Sequence, residues 1–243
     1  MALFNINPKE PTNITPLGDV VSSEGEFPIS VAFNKNGDRF CVLNGGKVNG
    51  VICYTVDRRL GPVVIDNTLR LLTDALKTTT PPDGPANTAS HILFSEDDRK
   101  LIVSVKGTPQ RAGFYAIWDV RRDGTLSAEF KKVSPGRGGL LPFGMANIPG
   151  KNAVIATDAG IGFDILNLAD TRRNTANAID RQQATCWVAF SPATKTFFMT
   201  DVGTSIVTEI AVDNKLKGTL LSVRVLCMLV LSCSDIDICS RRL

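Results

Sequence analysis

Apolar residues fall along this chain in short bursts rather than in helical stripes. Four segments share one pattern: residues 27–44 (FPISVAFNKNGDRFCVLN), 88–105 (TASHILFSEDDRKLIVSV), 143–158 (FGMANIPGKNAVIATD) and 185–201 (TCWVAFSPATKTFFMTD). Each is an apolar run, a polar turn and a second apolar run. The runs are rich in Val, Ile, Phe and Leu, are too short for helices, and are bounded by Asn-Gly, Asp-Asp and Pro-Gly turn signals. That pattern predicts strand–turn–strand hairpins. Aligning Phe33, Phe94, Asn147 and Phe190 brings Asn44, Val105, Asp158 and Asp201 into register, each eleven residues further on.

A second marker follows each hairpin: residues 56–61 (VDRRLG), 120–124 (VRRDG), 168–173 (LADTRR) and 212–218 (VDNKLKG). A third strand ends in each charged turn and a fourth leaves it, over residues 126–133 and 220–226 in two of the units. Four strands in a repeat of ~40–50 residues make one blade of a β-propeller. The predicted fold class is therefore all-β, a β-propeller. A β-sandwich has no reason to repeat a marker pair. A solenoid needs a steadier period than anchors at 33, 94, 147 and 190. The blade units fall near residues 1–22, 23–84, 85–138, 139–180 and 181–219. Their excess length sits in residues 69–85 and 107–113, read as loops; residues 69–77 predict one or two helical turns before PPDGP at 81–85 stops them.

Both ends break the pattern. Residues 3–13 read as the third strand and charged turn of a blade, and residues 14–20 as its fourth strand; the inner half of that blade is absent. Residues 220–243 shift in composition and hold Cys227, Cys233 and Cys239. They are either foreign to the propeller or a true fourth strand with a loose end.

Composition narrows the function. The chain has 243 residues, 43% hydrophobic and 21% charged, which excludes a disordered tail and is ample for a core. Lys plus Arg number 27 and Asp plus Glu 24, for a net charge of +3 with no basic block, so nucleic acid is not expected as a partner. With one histidine, His91, a multi-His zinc site is excluded, and no metal or cofactor is expected. The longest apolar run, residues 220–231, is interrupted by Ser222 and Arg224 and falls short of the roughly 20 residues of a membrane-spanning helix. The chain opens without a basic start and apolar core, so it shows no signal peptide.

Residues 26–33 (EFPISVAF), 41–46 (CVLNGG), 80–90 (TPPDGPANTAS), 140–145 (LLPFGM) and 184–187 (ATCW) together resemble the fungal 3-carboxymuconate cyclase-like proteins. These belong to the lactonase superfamily of seven-bladed propellers, beside the 6-phosphogluconolactonases. The resemblance spans roughly residues 1–213 and implies a fragment of about four blades. It also implies a small carboxylated or lactone substrate, turned over by ring-closing lactonisation (an intramolecular lyase) or by lactone hydrolysis. Related proteins are often secreted, so the chain is extracellular if a further N-terminal segment precedes it and cytoplasmic otherwise. The alternatives are a non-catalytic secreted propeller acting as a binding module, or an inactive truncated product that self-associates through open sheet edges.

Such chemistry needs cationic forks for carboxylates and one tuned acid or base. Propeller ligands gather where loops enter the innermost strands, here at residues 25–27, 86–90, 139–143 and 184–186. His91, at the start of an inner strand, and Arg137, in a glycine-rich loop, are the catalytic candidates. Arg111, Asn87 and Thr185 are the substrate-binding candidates. The active lactonase branch carries a His-x-His pattern, whose positions are Thr88 and Ser90 here; His91 is one residue out of phase, which turns it to the other face of its strand. Cys41 and Cys53 flank a hairpin turn and are read either as a disulfide or as two buried thiols. Asn13 heads a glycosylation sequon, Asn13-Ile14-Thr15.

Overall fold

A computed structural model of the chain describes residues 1–72 and 75–225. The described residues form β-strands joined by turns, with one 3-10 turn at Thr171–Arg173. The first sheet holds only β1 (Leu3–Ile6) and β2 (Ile14–Leu17). The second holds β3 (Pro28–Phe33), β4 (Arg39–Asn44), β5 (Gly50–Asp57) and β6 (Gly61–Val64), with β7 (Arg70–Leu71) also paired to β5. The third runs β8 (Ala89–Phe94), β9 (Lys100–Val105), β10 (Phe114–Asp119) and β11 (Lys131–Val133). The fourth runs β12 (Pro142–Asn147), β13 (Ala153–Asp158), β14 (Gly162–Asn167) and β15 (Thr175–Ala178). The fifth runs β16 (Thr185–Ser191), β17 (Thr196–Asp201), β18 (Ile206–Val212) and β19 (Gly218–Val225). Within each sheet the strands follow chain order and pair antiparallel.

The hairpin register follows the sequence anchors: Phe33 pairs with Phe40, Phe94 with Leu101, Asn147 with Val154 and Phe190 with Phe197. The first strands of successive sheets pack on one another, β3 on β8, β8 on β12 and β12 on β16. They are stitched by lone hydrogen bonds: Ile92 N–H to Ser30 Oγ at 3.3 Å, and Asn147 Nδ2 to the Phe94 carbonyl at 2.9 Å. These are the inner strands of a fan of blades. Because side chains alternate, each blade offers one face to its predecessor and the other to its successor. Ile92, Phe94, Leu101 and Val103 join Ala32, Cys41 and Leu43 in one core. On the opposite face Ile102 and Leu93 join Met145, Val154 and Ala156 in the next. Further on, Ile155 and Phe163 meet Phe197 and Met199.

Among the described residues the fan does not close. Its first sheet is the two-stranded outer half of a blade, held on the second sheet by Met1, Leu3 and Val21 against Phe40, Val42, Ile52 and Tyr54. The segment at residues 69–77 differs from its helical expectation: Arg70 and Leu71 pair with β5, because Val51 and Gly50 offer a free ladder there. Residues 73 and 74, in the middle of the expected helical turns, lie outside the described residues; the Leu76 N–H bonds to the Leu72 carbonyl. At the far end β19 pairs with β18 through Val225, so residues 220–225 are an outer strand of the last blade and the expected boundary after residue 219 falls inside it. The rest of the segment, residues 226–243 with its three cysteines, lies outside the described residues. Cys41 and Cys53 stand directly opposite each other on β4 and β5, Cα atoms 4.0 Å apart, and are joined by a disulfide.

Candidate functional site: the upper rim of the inner strands

The loops that enter the inner strands and the loops that leave the second strands lie at one end of the fan. The registered residue at the end of each second strand ties them down. Asn44 accepts the Ser23 hydroxyl at 2.7 Å and donates to the Ser23 carbonyl at 2.8 Å. Asp158 accepts the N–H groups of Leu140, Leu141 and Gly160 at 2.7–2.8 Å. Asp201 does the same for Gln183, Ala184, Gly203 and Thr204. Burial pushes the Asp201 carboxyl up, yet these backbone donors outweigh it and leave it below the ordinary range. In the third sheet the registered residue is Val105, and the polar group comes next, at Lys106.

Lys106 is 8% exposed. Its ammonium donates to Ser90 Oγ at 2.8 Å and stands 4.2 Å from the centre of the Phe143 ring. No carboxylate pairs with it among the described residues. Burial pulls its pKa down to about 8, against a smaller opposing pull from the nearby Cys186 sulfur. Phe143 in turn meets Trp187 edge to face at 5.3 Å, and Trp187 meets the His91 ring at 5.3 Å in the same way. The aromatic run crosses three inner strands, β8, β12 and β16. It needs Gly144: a Cβ there would lie 2.7 Å from the Cys186 carbonyl oxygen and 2.9 Å from Trp187 Cε3.

Bulges at the same point of the inner strands, after Ala89, Pro142 and Thr185, set this geometry. Hydroxyls of the second strands fill them. Ser104 Oγ donates to the Phe143 carbonyl at 2.6 Å and accepts the His91 N–H at 3.2 Å. Thr157 Oγ1 accepts the Gly144 N–H at 2.9 Å and donates to the Cys186 carbonyl at 2.6 Å. The bulge leaves His91 facing the fourth sheet, where its Nδ1 accepts the Met145 N–H at 3.0 Å. The imidazole proton therefore sits on Nε2, which bonds to no described residue. Burial lowers the pKa of His91, so the ring is neutral at pH 7. Cys186 is half-buried, its Sγ 3.0 Å from the Ala184 carbonyl, and burial pushes its thiol up.

The other sequence candidates are dispersed around this rim. Asn87 and Arg111 meet, Arg111 Nη2 donating to Asn87 Oδ1 at 3.2 Å on the exposed side of the loops around β8 and β9. Thr185 is buried, its hydroxyl donating to Gln182 Oε1 at 3.1 Å. Arg137 is exposed on the loop into β12 and bonds to no described residue. That loop runs over a buried acid pair: Asp164 accepts the Tyr115 hydroxyl at 2.8 Å and lies next to Asp158. Burial, and then the Asp158 charge, hold the Asp164 carboxyl well above the usual carboxylate range. Asn13 is exposed in the turn between β1 and β2. Lys106, Phe143 and Trp187 escaped the sequence reading. The signal was there: the residue after each registered position is Gly45, Ala159 or Val202, and only the third sheet puts a cation there.

The chain folds as an open β-propeller. Solved structures with this architecture include a periplasmic gluconolactonase of Pseudomonas aeruginosa, at 16% identity and TM-score 0.67, covering 95% of this chain and 65% of that one. A candidate 6-phosphogluconolactonase of Bacteroides uniformis aligns at 12% identity and TM-score 0.68, over 92% of this chain and 63% of that one. A nidogen/laminin complex aligns at 15% identity and TM-score 0.55, over 88% of this chain and 68% of that one. The chain thus spans less than two thirds of the length of either lactonase-type structure. No protein-family model matches the sequence, and no curated protein matches it significantly. Among the described residues no helix is long and apolar enough to cross a membrane, and no cluster of three or more His, Cys, Asp or Glu could hold a metal ion.

Proposed function

We propose that the upper rim binds a small carboxylate-bearing lactone or unsaturated acid, and that the chain belongs to a lactonase-type enzyme. One observation carries this reading: the Lys106 ammonium is buried on the inner rim without a carboxylate to neutralise it. A bound anion would remove that penalty. The aromatic run of Phe143 and Trp187 offers a flat wall for a ring, and the His91 Nε2–H offers a donor to a carbonyl or ring oxygen. Arg111 and Arg137 stand on loops of the same end and supply further positive charge to draw an anion in. The architecture shared with two lactonase-type structures supports the reaction class. Within it, the muconate ring closure implied by the sequence resemblance is the finer proposal.

In either reaction His91 polarises the carbonyl and Lys106 holds the carboxylate. His91 is not the base, since its one lone pair is committed to Met145. The same observation favours a second reading, a propeller that binds such a ligand without turning it over. The anionic 6-phosphogluconolactone and 3-carboxymuconate are the substrates to assay, with uncharged gluconolactone as the control that Lys106 does not favour and calorimetry for binding. The enzyme reading expects turnover that falls at least tenfold in His91→Gln and binding that falls at least tenfold in Lys106→Met. Binding without turnover selects the second reading. Neither binding nor turnover refutes both.

A further inference from the structure

The buried hydroxyls of the rim give their protons to protein acceptors, with one exception. Thr88 Oγ1 donates to the Pro85 carbonyl at 2.9 Å, Ser104 Oγ to the Phe143 carbonyl at 2.6 Å, Thr157 Oγ1 to the Cys186 carbonyl at 2.6 Å and Thr185 Oγ1 to Gln182 Oε1 at 3.1 Å. Ser90 Oγ accepts from Lys106 Nζ at 2.8 Å and donates to no described residue. Ser90 is the extra residue of the bulge between Ala89 and His91, which re-aims its side chain, and it is 9% exposed. A hydroxyl so placed has one partner that can take its proton: the Lys106 nitrogen, once that nitrogen is an amine. The surroundings favour the amine, since the Phe143 ring covers Nζ and burial depresses its pKa.

We propose that Ser90 and Lys106 form a nucleophile–base dyad that hydrolyses small uncharged esters through an acyl-Ser90 intermediate. Lys106 Nζ takes the hydroxyl proton as Ser90 Oγ attacks the ester carbonyl carbon. The bond from that carbon to the leaving alcohol oxygen breaks, and the oxygen takes the proton back from Nζ. Water then gives a proton to Nζ and its oxygen to the acyl carbon; the bond to Ser90 Oγ breaks, Oγ recovers the proton and the acid departs. The flat wall of Phe143 and Trp187 suits an aryl ester. The ester is uncharged because an anion beside Nζ would hold it as the ammonium. Anion binding and the dyad thus use two protonation states of one lysine, and the dyad stands on the Ser90 geometry whether or not the rim binds an anion.

The test treats the full chain with p-nitrophenyl acetate and, separately, with an uncharged fluorophosphonate ester. Nitrophenol release and a phosphonyl group mapped to Ser90 by mass spectrometry are expected, and this label on the parent protein needs no variant. Its rate should climb about tenfold per pH unit and level off near pH 8. Ser90→Ala and Lys106→Met should each lose at least tenfold. Lys106→Arg should lose as much, because it keeps the charge and a donor but cannot act as the base; a lysine that merely positions Ser90 would be replaced by it. The proposal is overturned if the label falls on Lys106 or Cys186 instead of Ser90, if Lys106→Arg reacts as fast as the parent, or if the rate is flat with pH. Labelling without anion binding refutes the anion site alone, and anion binding without labelling refutes the dyad alone.

Discussion

Replacing Lys106 by methionine should make the protein more stable while disarming the rim. Met keeps the length and the contact with Phe143 but removes the charge. In the fold the Lys106 amine titrates near 8, against an ordinary 10.5. Its folded pKa is depressed, so the unfolded chain binds the proton more tightly, and stability rises with pH between about 8 and 10.5. Below 8 the fold carries the full cost of a buried ammonium, about 3 kcal/mol at about 1.4 kcal/mol per pH unit. Losing the bond to Ser90 and the contact with the Phe143 ring removes about 1 kcal/mol of that gain. The net expectation is about 2 kcal/mol of added stability at pH 7, shrinking towards pH 10. Urea denaturation of both proteins at pH 7, 8.5 and 9.5 measures it as a difference, so other titrating groups cancel. A variant less stable than the parent at pH 7, or a difference that does not change with pH, would refute the reasoning.

Two further substitutions probe the same end of the fan. Asp164→Asn should keep the Tyr115 bond and donate to Asp158. Because the folded pKa of Asp164 is raised, its proton stabilises the native state below the ordinary carboxylate range, and that stability is lost as pH rises towards the folded value. The Asn variant should lack this fall above the ordinary carboxylate range, seen as a flatter plot of denaturation midpoint against pH on that side; parallel plots would count against a protonated Asp164. Gly144→Ala should cost about 1–3 kcal/mol by forcing β12 away from the Cys186 carbonyl, with Trp187 fluorescence shifting to the red as the ring is displaced; an unshifted spectrum would show that the aromatic run does not depend on the glycine.

The hairpins were legible because their code is local. Alternating apolar runs around a polar turn fix both the strands and the register, and the Phe anchors at 33, 94 and 190 pair as aligned. The two outer strands at the start of the chain were legible for the same reason. The strand at Arg70 and Leu71 was missed because it is two residues long and has no alternation to read, while the free ladder of β5 that captures it is a tertiary fact. The rim was legible only in part. His91 could be placed one residue out of phase, but the bulge after Ala89 that aims it at Met145 depends on Ser104, thirteen residues away. Lys106 looks like an ordinary loop cation until Ser90 and Phe143 are seen to close over it.

Asn44, Asp158 and Asp201 each fasten loops of their own blade, the loop entering its first strand and, for the two aspartates, the one leaving its second. Such a latch lies within one blade, but the surface above it does not: Phe143 of the fourth sheet covers Lys106 of the third, and the Leu140 carbonyl receives the N–H groups of Gly107 and Gly113 across the same seam. A blade exchanged on its own would carry its loops with it and still lose the wall and the charge that only its neighbour completes, so the seam rather than the blade is the unit that a transplanted site must preserve.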